Sequence, residues 1–160
     1  MSFERHRHRA RAVALVLAAS GLAFAGCVSS RERDSSPPSD PYTYAADLEA
    51  GVNEARVAEG LPELVHADCA VDAAAGRAAD LVGKPDLPHA PMNAVLQECG
   101  VGVAGENLSR ATVPADAVVD AWLASPGHRS NILDPDFTSG GVACVQEGDA
   151  LVCSHVFLGE

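Results

Sequence analysis

The sequence predicts an α+β domain, with helices first and an antiparallel hairpin last. Apolar residues recur at helical three-and-four spacing in three places: Ala45, Leu48, Val52 and Ala55; Ala70, Ala73, Ala74, Ala78 and Leu81; and Val118, Val119, Trp122 and Leu123. By contrast, residues 141–147 and 150–157 are β-leaning runs that meet at Gly148-Asp149, a two-residue turn with glycine first. Few aromatics and many Ala, Val and Leu point to close packing of small side chains.

Ahead of this domain the chain changes character. Arg5, Arg7, Arg9 and Arg11 precede an apolar run, residues 12–25, that is too short to span a bilayer comfortably and reads as an export signal over residues 1–26. Its end, Leu22-Ala-Phe-Ala-Gly-Cys27, resembles a bacterial lipobox, with Phe24 where Leu, Val or Ile is more usual. That resemblance implies cleavage before Cys27 and diacylation of its thiol, hence a lipoprotein anchored on the outer side of a membrane, or a secreted one if Cys27 escapes the lipid. Residues 27–41 hold Ser, Pro and charge and read as a disordered tether, which leaves residues 42–160 as one domain. The chain carries 11 Lys+Arg against 22 Asp+Glu; without the signal the balance is 7 against 21, a net charge of −14 with histidines neutral. Such a surface repels phosphate backbones and anionic headgroups, which excludes nucleic acid as a partner and leaves membrane contact to the lipid.

Taken in order, the first helix is expected over residues 44–59, stopped by Gly60 and Pro62, with Val57 extending its apolar stripe and Asn53 and Arg56 on a solvated side. Residues 61–66 read as a connector carrying a surface histidine, His66. Asp68 is placed to cap a second, alanine-rich helix over 69–82. A loop then presents His89, and a short helix over 92–98 leads into Gly100-Val-Gly-Val-Ala-Gly105. No Lys-Ser/Thr follows those glycines, so a phosphate loop is rejected in favour of a turn feeding a short strand over 106–110, which begins with Glu106-Asn107. The third helix, 115–123, tolerates Pro114 in its first turn and is stopped by Ser125-Pro126-Gly127. That corner delivers His128, followed by Arg129 and Asn131, and a titratable imidazole there is a site candidate. On the last strand His155 shares a face with Cys153 and Phe157, as compatible with a half-buried residue as with a functional one.

With Cys27 assigned to lipid, Cys69, Cys99, Cys144 and Cys153 remain in a compartment that permits disulfides, and three pairings are possible. Folding about Gly148-Asp149 places 147 opposite 150 and 144 opposite 153. Counting outward from the hydrogen-bonded 147/150 pair, 144/153 is a non-hydrogen-bonded pair, where side chains come closest. This predicts Cys144–Cys153 and leaves Cys69 with Cys99.

Several of these pieces occur together in one known pattern. Asn53-x-x-Arg56, Leu61 and Leu64, the alanine-rich helix, His89, Gly105-Glu-Asn-Leu108, Ala121-Trp122-x-x-Ser125-Pro-Gly-His-Arg-x-Asn-Ile-Leu133, Phe137, Gly141-Val and Val156-Phe157 closely resemble the CAP superfamily of cysteine-rich secretory, antigen 5 and pathogenesis-related class 1 proteins, in its short bacterial form. The resemblance covers residues 44–158 and implies a three-layer α-β-α sandwich with a small antiparallel sheet. It also implies a cleft carrying two histidines, here His89 and His128, and an acidic residue, here Glu106, able to hold a divalent cation. Asn107, Arg129, Asn131 and His155 are the supporting candidates. The family's second glutamate, three residues after the tryptophan, is Ser125 in this chain, so the acidic set is incomplete, and His155 stands where glutamine is common.

Two neutral imidazoles and one carboxylate make a three-ligand set of the kind zinc accepts, with one position open to water. The favoured expectation is a tethered binding module whose cleft holds a divalent cation, zinc first, or a small lipid or other envelope ligand. The alternative is a metal-assisted, peptidase-like hydrolase working through the same His/Glu cleft. A serine nucleophile at Ser125 or Ser130 is set aside, because nothing resembles a nucleophile elbow and residues so near His128 in sequence rarely complete a triad.

Overall fold

The computed structural model describes residues 40–160. The expected signal, Cys27 and most of the tether lie outside the described residues. The elements are helix α1 (Pro41–Ala58), strand β1 (Val65–His66), helices α2 (Asp68–Leu81) and α3 (Asn93–Cys99), strand β2 (Val103–Ala111), helices α4 (Ala115–Ala124) and α5 (Pro126–Ile132), and strands β3 (Ser139–Glu147) and β4 (Ala150–Gly159).

The strands form one sheet in the order β1-β3-β4-β2. β4 is antiparallel to β3 on one side and to β2 on the other. The sheet is mixed and not purely antiparallel, because Val65 and His66, expected as connector, pair parallel to Ser139 and Gly140. β4 is central and buried on both faces. Its odd positions, Leu151, Cys153 and Phe157, pack with Tyr44, Leu48 and Val52 of α1 and Val118, Val119 and Trp122 of α4. Its even positions turn to the other layer: Val156 and Leu158 pack with Ala70 and Ala74 of α2 and Val95 of α3, while Val152 packs with Leu81. A helical layer therefore covers each face, and period-two alternation assigns residues to layers. The small side chains of α2 let it ride low on the sheet. A methyl group at Gly141 would stand 2.7 Å from the backbone nitrogen of Val71 and 2.6 Å from its side chain, so that contact requires glycine.

Several boundaries differ from expectation for local reasons. Asp40 caps α1, its carboxylate accepting from the N–H groups of Tyr42 (3.0 Å) and Thr43 (3.1 Å), and Pro41 occupies the first turn, so the helix begins where the tether was expected to end. Val57 is exposed, and the last place in the buried stripe of α1 belongs to Arg56, expected to be solvated but 0% exposed. Arg56 donates to the carbonyls of Pro62, Ile132, Asp134 and Phe137 at 2.8–3.0 Å. Its neighbour Asn53 accepts from the N–H of Leu64 (2.9 Å) and so fixes the connector. Asp68 is the first residue of α2 and not its cap, a place taken by Ala67 without a side-chain bond. β2 is also longer than the predicted strand.

Both disulfides match the predicted pairing. Cys144–Cys153 lies across β3 and β4 in a directly opposed pair with Cα atoms 4.1 Å apart, and Cys69–Cys99 ties the first turn of α2 to the last residue of α3.

Candidate functional site

Glu106 and Asn107 are adjacent on β2, so their side chains leave opposite faces of the sheet. Glu106, only 6% exposed, points to the α2 side. Arg77 of α2 grips both of its oxygens, through Nε on Oε1 and through Nη2 on Oε2 at 3.0 Å. Ser154 donates to Oε1 (2.9 Å), and His89, from the loop before α3, meets Oε2 through Nδ1 at 2.9 Å. Burial alone would raise the pKa of Glu106, but the bonds from Arg77, His89 and Ser154 outweigh it and hold the carboxyl below its ordinary value.

Asn107 points to the opposite side and donates to the backbone carbonyl of His128 (3.1 Å). Asn131 donates to the carbonyl of Glu106 (3.0 Å) and to the side-chain oxygen of Asn107 (2.9 Å). Together the two asparagines clamp α5 against the outer edge of β2. Gly105 permits the approach, since a Cβ there would stand 2.8 Å from the ring of Phe137 and 3.3 Å from Asn131. The Ser125-Pro126-Gly127 corner does end α4, but it also starts α5: Ser125 closes one helix and opens the next, and Pro126 takes the first helical position, where its missing N–H is harmless. His128 therefore lies in the first turn of a helix and not in a loop.

His89, Glu106 and His128 line one cleft of about 340 Å³, with Ser125, Met92 and Asn131 in its walls. The three side chains that the sequence singled out thus meet in one place. Burial, and then the nearby His89, lowers the pKa of His128, which favours a neutral imidazole that donates from one nitrogen and accepts at the other. Two supporting candidates lie elsewhere. Arg129 turns outward to Glu59 (2.8 Å) on an exposed surface. His155 is fully buried in the layer facing α1 and α4, stacked on Phe157 with ring centroids 4.0 Å apart, on the sheet face opposite Glu106.

Arg77 is the residue that sequence reasoning missed. A signal was present: counted from Ala70 and Ala74, position 77 falls on the sheet-facing stripe of α2, four residues before Leu81. A lone arginine in a row of small apolar residues calls for a buried carboxylate partner. The same residue bears on the metal expectation. Among the described residues, no group of three or more His, Cys, Asp or Glu is placed to hold a metal ion. Both oxygens of Glu106 are committed to Arg77, Ser154 and His89. As arranged, these residues do not make the three-ligand set that zinc would use.

Comparisons with known proteins agree on the architecture. A 1.5 Å structure of an extracellular SCP-domain protein from Bacillus anthracis is similar with TM-score 0.63 and 25% identity, over 79% of this chain and 45% of that one. A cysteine-rich secretory protein from Staphylococcus aureus gives TM-score 0.65 at 17% identity over 78% and 41%, and an outer surface protein from Borrelia burgdorferi gives 0.63 at 20% over 79% and 98%. The latter two establish likeness of fold. The uncharacterized Bacillus subtilis protein YkwD is 29% identical over 133 residues, covering 78% of this chain and 51% of that protein, so the chain spans about half the length of this curated relative. No helix among the described residues is long and apolar enough to cross a membrane. The description of the CAP, cysteine-rich secretory protein family matches residues 50–158, and the chain belongs to that family.

Proposed function

We propose that the chain is an extracytoplasmic binding module, held at a membrane by lipid on Cys27, whose His89/Glu106/His128 cleft receives a small envelope-derived ligand through hydrogen bonds. The observation that carries this reading is the state of Glu106. A carboxylate whose oxygens are already occupied by a guanidinium, a hydroxyl and an imidazole is a fixed anchor for its neighbours and not a free base. What the cleft offers a ligand is the outer nitrogen of His89, the neutral ring of His128, and apolar contact with Met92. The extracellular and outer-surface descriptions of similar proteins support the location. A divalent cation would have to draw His89 away from Glu106 and compete with Arg77, so the recognition proposed here needs no resident ion.

The test is a panel of muropeptide fragments, short acyl lipids and zinc, titrated onto chelator-stripped protein while backbone amide resonances are followed. A cleft ligand is expected to shift the amides of Gly105, Asn107 and His128, and to lose at least tenfold in affinity with His128→Ala. Stoichiometric zinc binding abolished by both His89→Ala and His128→Ala would replace this reading with a metal site. Turnover of any panel member that disappears with chelator and with Glu106→Gln would replace it with a hydrolase.

A further inference from the structure

We infer that the open edge of β3, far from the cleft at β2, is a docking site for an extended peptide that adds to the sheet as a strand. β1 pairs with β3 only opposite Ser139 and Gly140, and from Gly141 to Glu147 no described strand lies on that side. The direction of the backbone groups there follows from the bonds that are made. The carbonyls of Thr138 and Gly140 point outward and accept from Val65 (3.0 Å) and Ala67 (2.9 Å). Val142, Cys144 and Gln146 share that parity, so their N–H and C=O groups also point outward, while Ala143 and Val145 bond β4. These groups, unpaired among the described residues, repeat every second residue, about 7 Å apart, which is the repeat of another strand.

A groove of about 560 Å³ runs along this edge. One wall is Ala45 and Ala46 of α1, the other Val71 and Ala75 of α2, and Tyr42, 88% exposed, stands at its mouth. Those two helical walls decide between occupants. The sheet edge of a second copy would bring its own flanking helices into the same walls, whereas an isolated strand slides between them with its side chains toward alanine on either side. An acyl chain would fill the apolar walls but leave the outward backbone groups without partners. Charge sets the flanks of the peptide: Glu49, which His66 meets at 2.9 Å, lines the groove, the side chain of Asp68 stands fully exposed beside His66 at its end, and the chain carries a formal net charge of −11. The partner is therefore an extended peptide of small and β-branched residues with basic ends.

The test uses the disulfide-bonded protein from residue 27 and a capped peptide of alternating valine and threonine with lysine at both ends. Amide hydrogen exchange at Val142, Cys144 and Gln146 is expected to slow at least tenfold on saturation, with Ala143 and Val145 unchanged. Ala75→Arg, at an exposed helical position, is expected to weaken binding tenfold without moving the melting temperature. Gln146→Pro, which removes one outward donor and leaves the β4 ladder intact, should weaken it comparably. Absence of slowing, or wild-type affinity in both variants, overturns the proposal. Palmitate saturating the groove without protecting those amides overturns it in favour of a lipid, and equal affinity for a glutamate-ended peptide overturns the assignment of basic flanks.

Discussion

Arg56 takes a positive charge into the core and meets carbonyl oxygens there. Four of them, from two separate stretches of chain, converge on one guanidinium, which thereby fixes the loop after α1 and the turn between α5 and β3. Burial pushes its pKa down while the nearby charge of Asp134 works the other way, yet a guanidinium starts so high that it stays charged. In Arg56→Ala four carbonyls lose their donors at once and a cavity opens. The expected cost is about 3–5 kcal/mol, seen as a fall in melting temperature of roughly 10–20 °C. Arg129→Ala, which breaks only the exposed contact with Glu59, should cost under about 1 kcal/mol. Equal losses in thermal unfolding would show that Arg56 contributes only what a surface ion pair does. From the sequence the two arginines look alike. Helical phase puts Arg56 near the apolar stripe, but only tertiary structure supplies the carbonyls, since they lie 6 to 81 residues away in the chain.

At the scale of elements, the closing hairpin was legible because its information is local: a glycine-first turn fixes the register, register fixes parity, and parity opposes Cys144 to Cys153. Helix α5 was not legible, since seven residues opening with Pro-Gly carry the same signs as a loop, and what ties them to the sheet is Asn107 on β2 bonding the carbonyl of His128 and the side chain of Asn131 on α5. The disulfides divide along the same line. Cys144–Cys153 spans a sequence separation of 9 inside strands that already pair, whereas Cys69–Cys99 spans 30 and encloses the loop carrying His89. Chain entropy assigns about 4 kcal/mol to the longer closure and about 3 kcal/mol to the shorter. Cys69→Ser/Cys99→Ser is therefore expected to destabilise the protein more than Cys144→Ser/Cys153→Ser. It should also speed amide exchange across residues 83–99 while leaving β3 and β4 protected. Uniform acceleration over the whole domain would mean that α3 and the His89 loop are not separately held by that bond.

For the whole molecule, the fold was read from periodicity and from family resemblance, and the cleft from the types and order of three residues. Missing from both readings were the charges that one layer lends to another, Arg77 to Glu106 and Arg56 to the loops, because such pairings follow from which helix lies on which face. His155 is the case with a consequence measurable across the molecule. It sits in the centre of the sheet, no group among the described residues bonds either ring nitrogen, and burial, then the charge of Arg56, lowers its pKa to about 3. The unfolded chain titrates this ring near 6.5, so between about pH 6.5 and pH 3 the unfolded state binds a proton that the folded state refuses. Stability is therefore complete above 6.5 and falls as pH drops through that window, by about 2 kcal/mol at pH 5 from this ring alone. Glu106, its pKa held down in the fold, adds a loss of the same sign at lower pH. Opposing both is relief of self-repulsion as a net charge of −11 is titrated, but those surface charges are spread out and screened beyond about 8 Å at physiological salt. The core histidine should win. Chemical denaturation from pH 7.5 to 5 is expected to show wild type losing stability on acidification, while His155→Gln, which cannot titrate, changes by less than half as much. If the variant followed the wild-type slope, the acid response would belong to other groups whose pKa the fold lowers, His128 and Glu106, and not to the ring beneath Trp122 and Phe157.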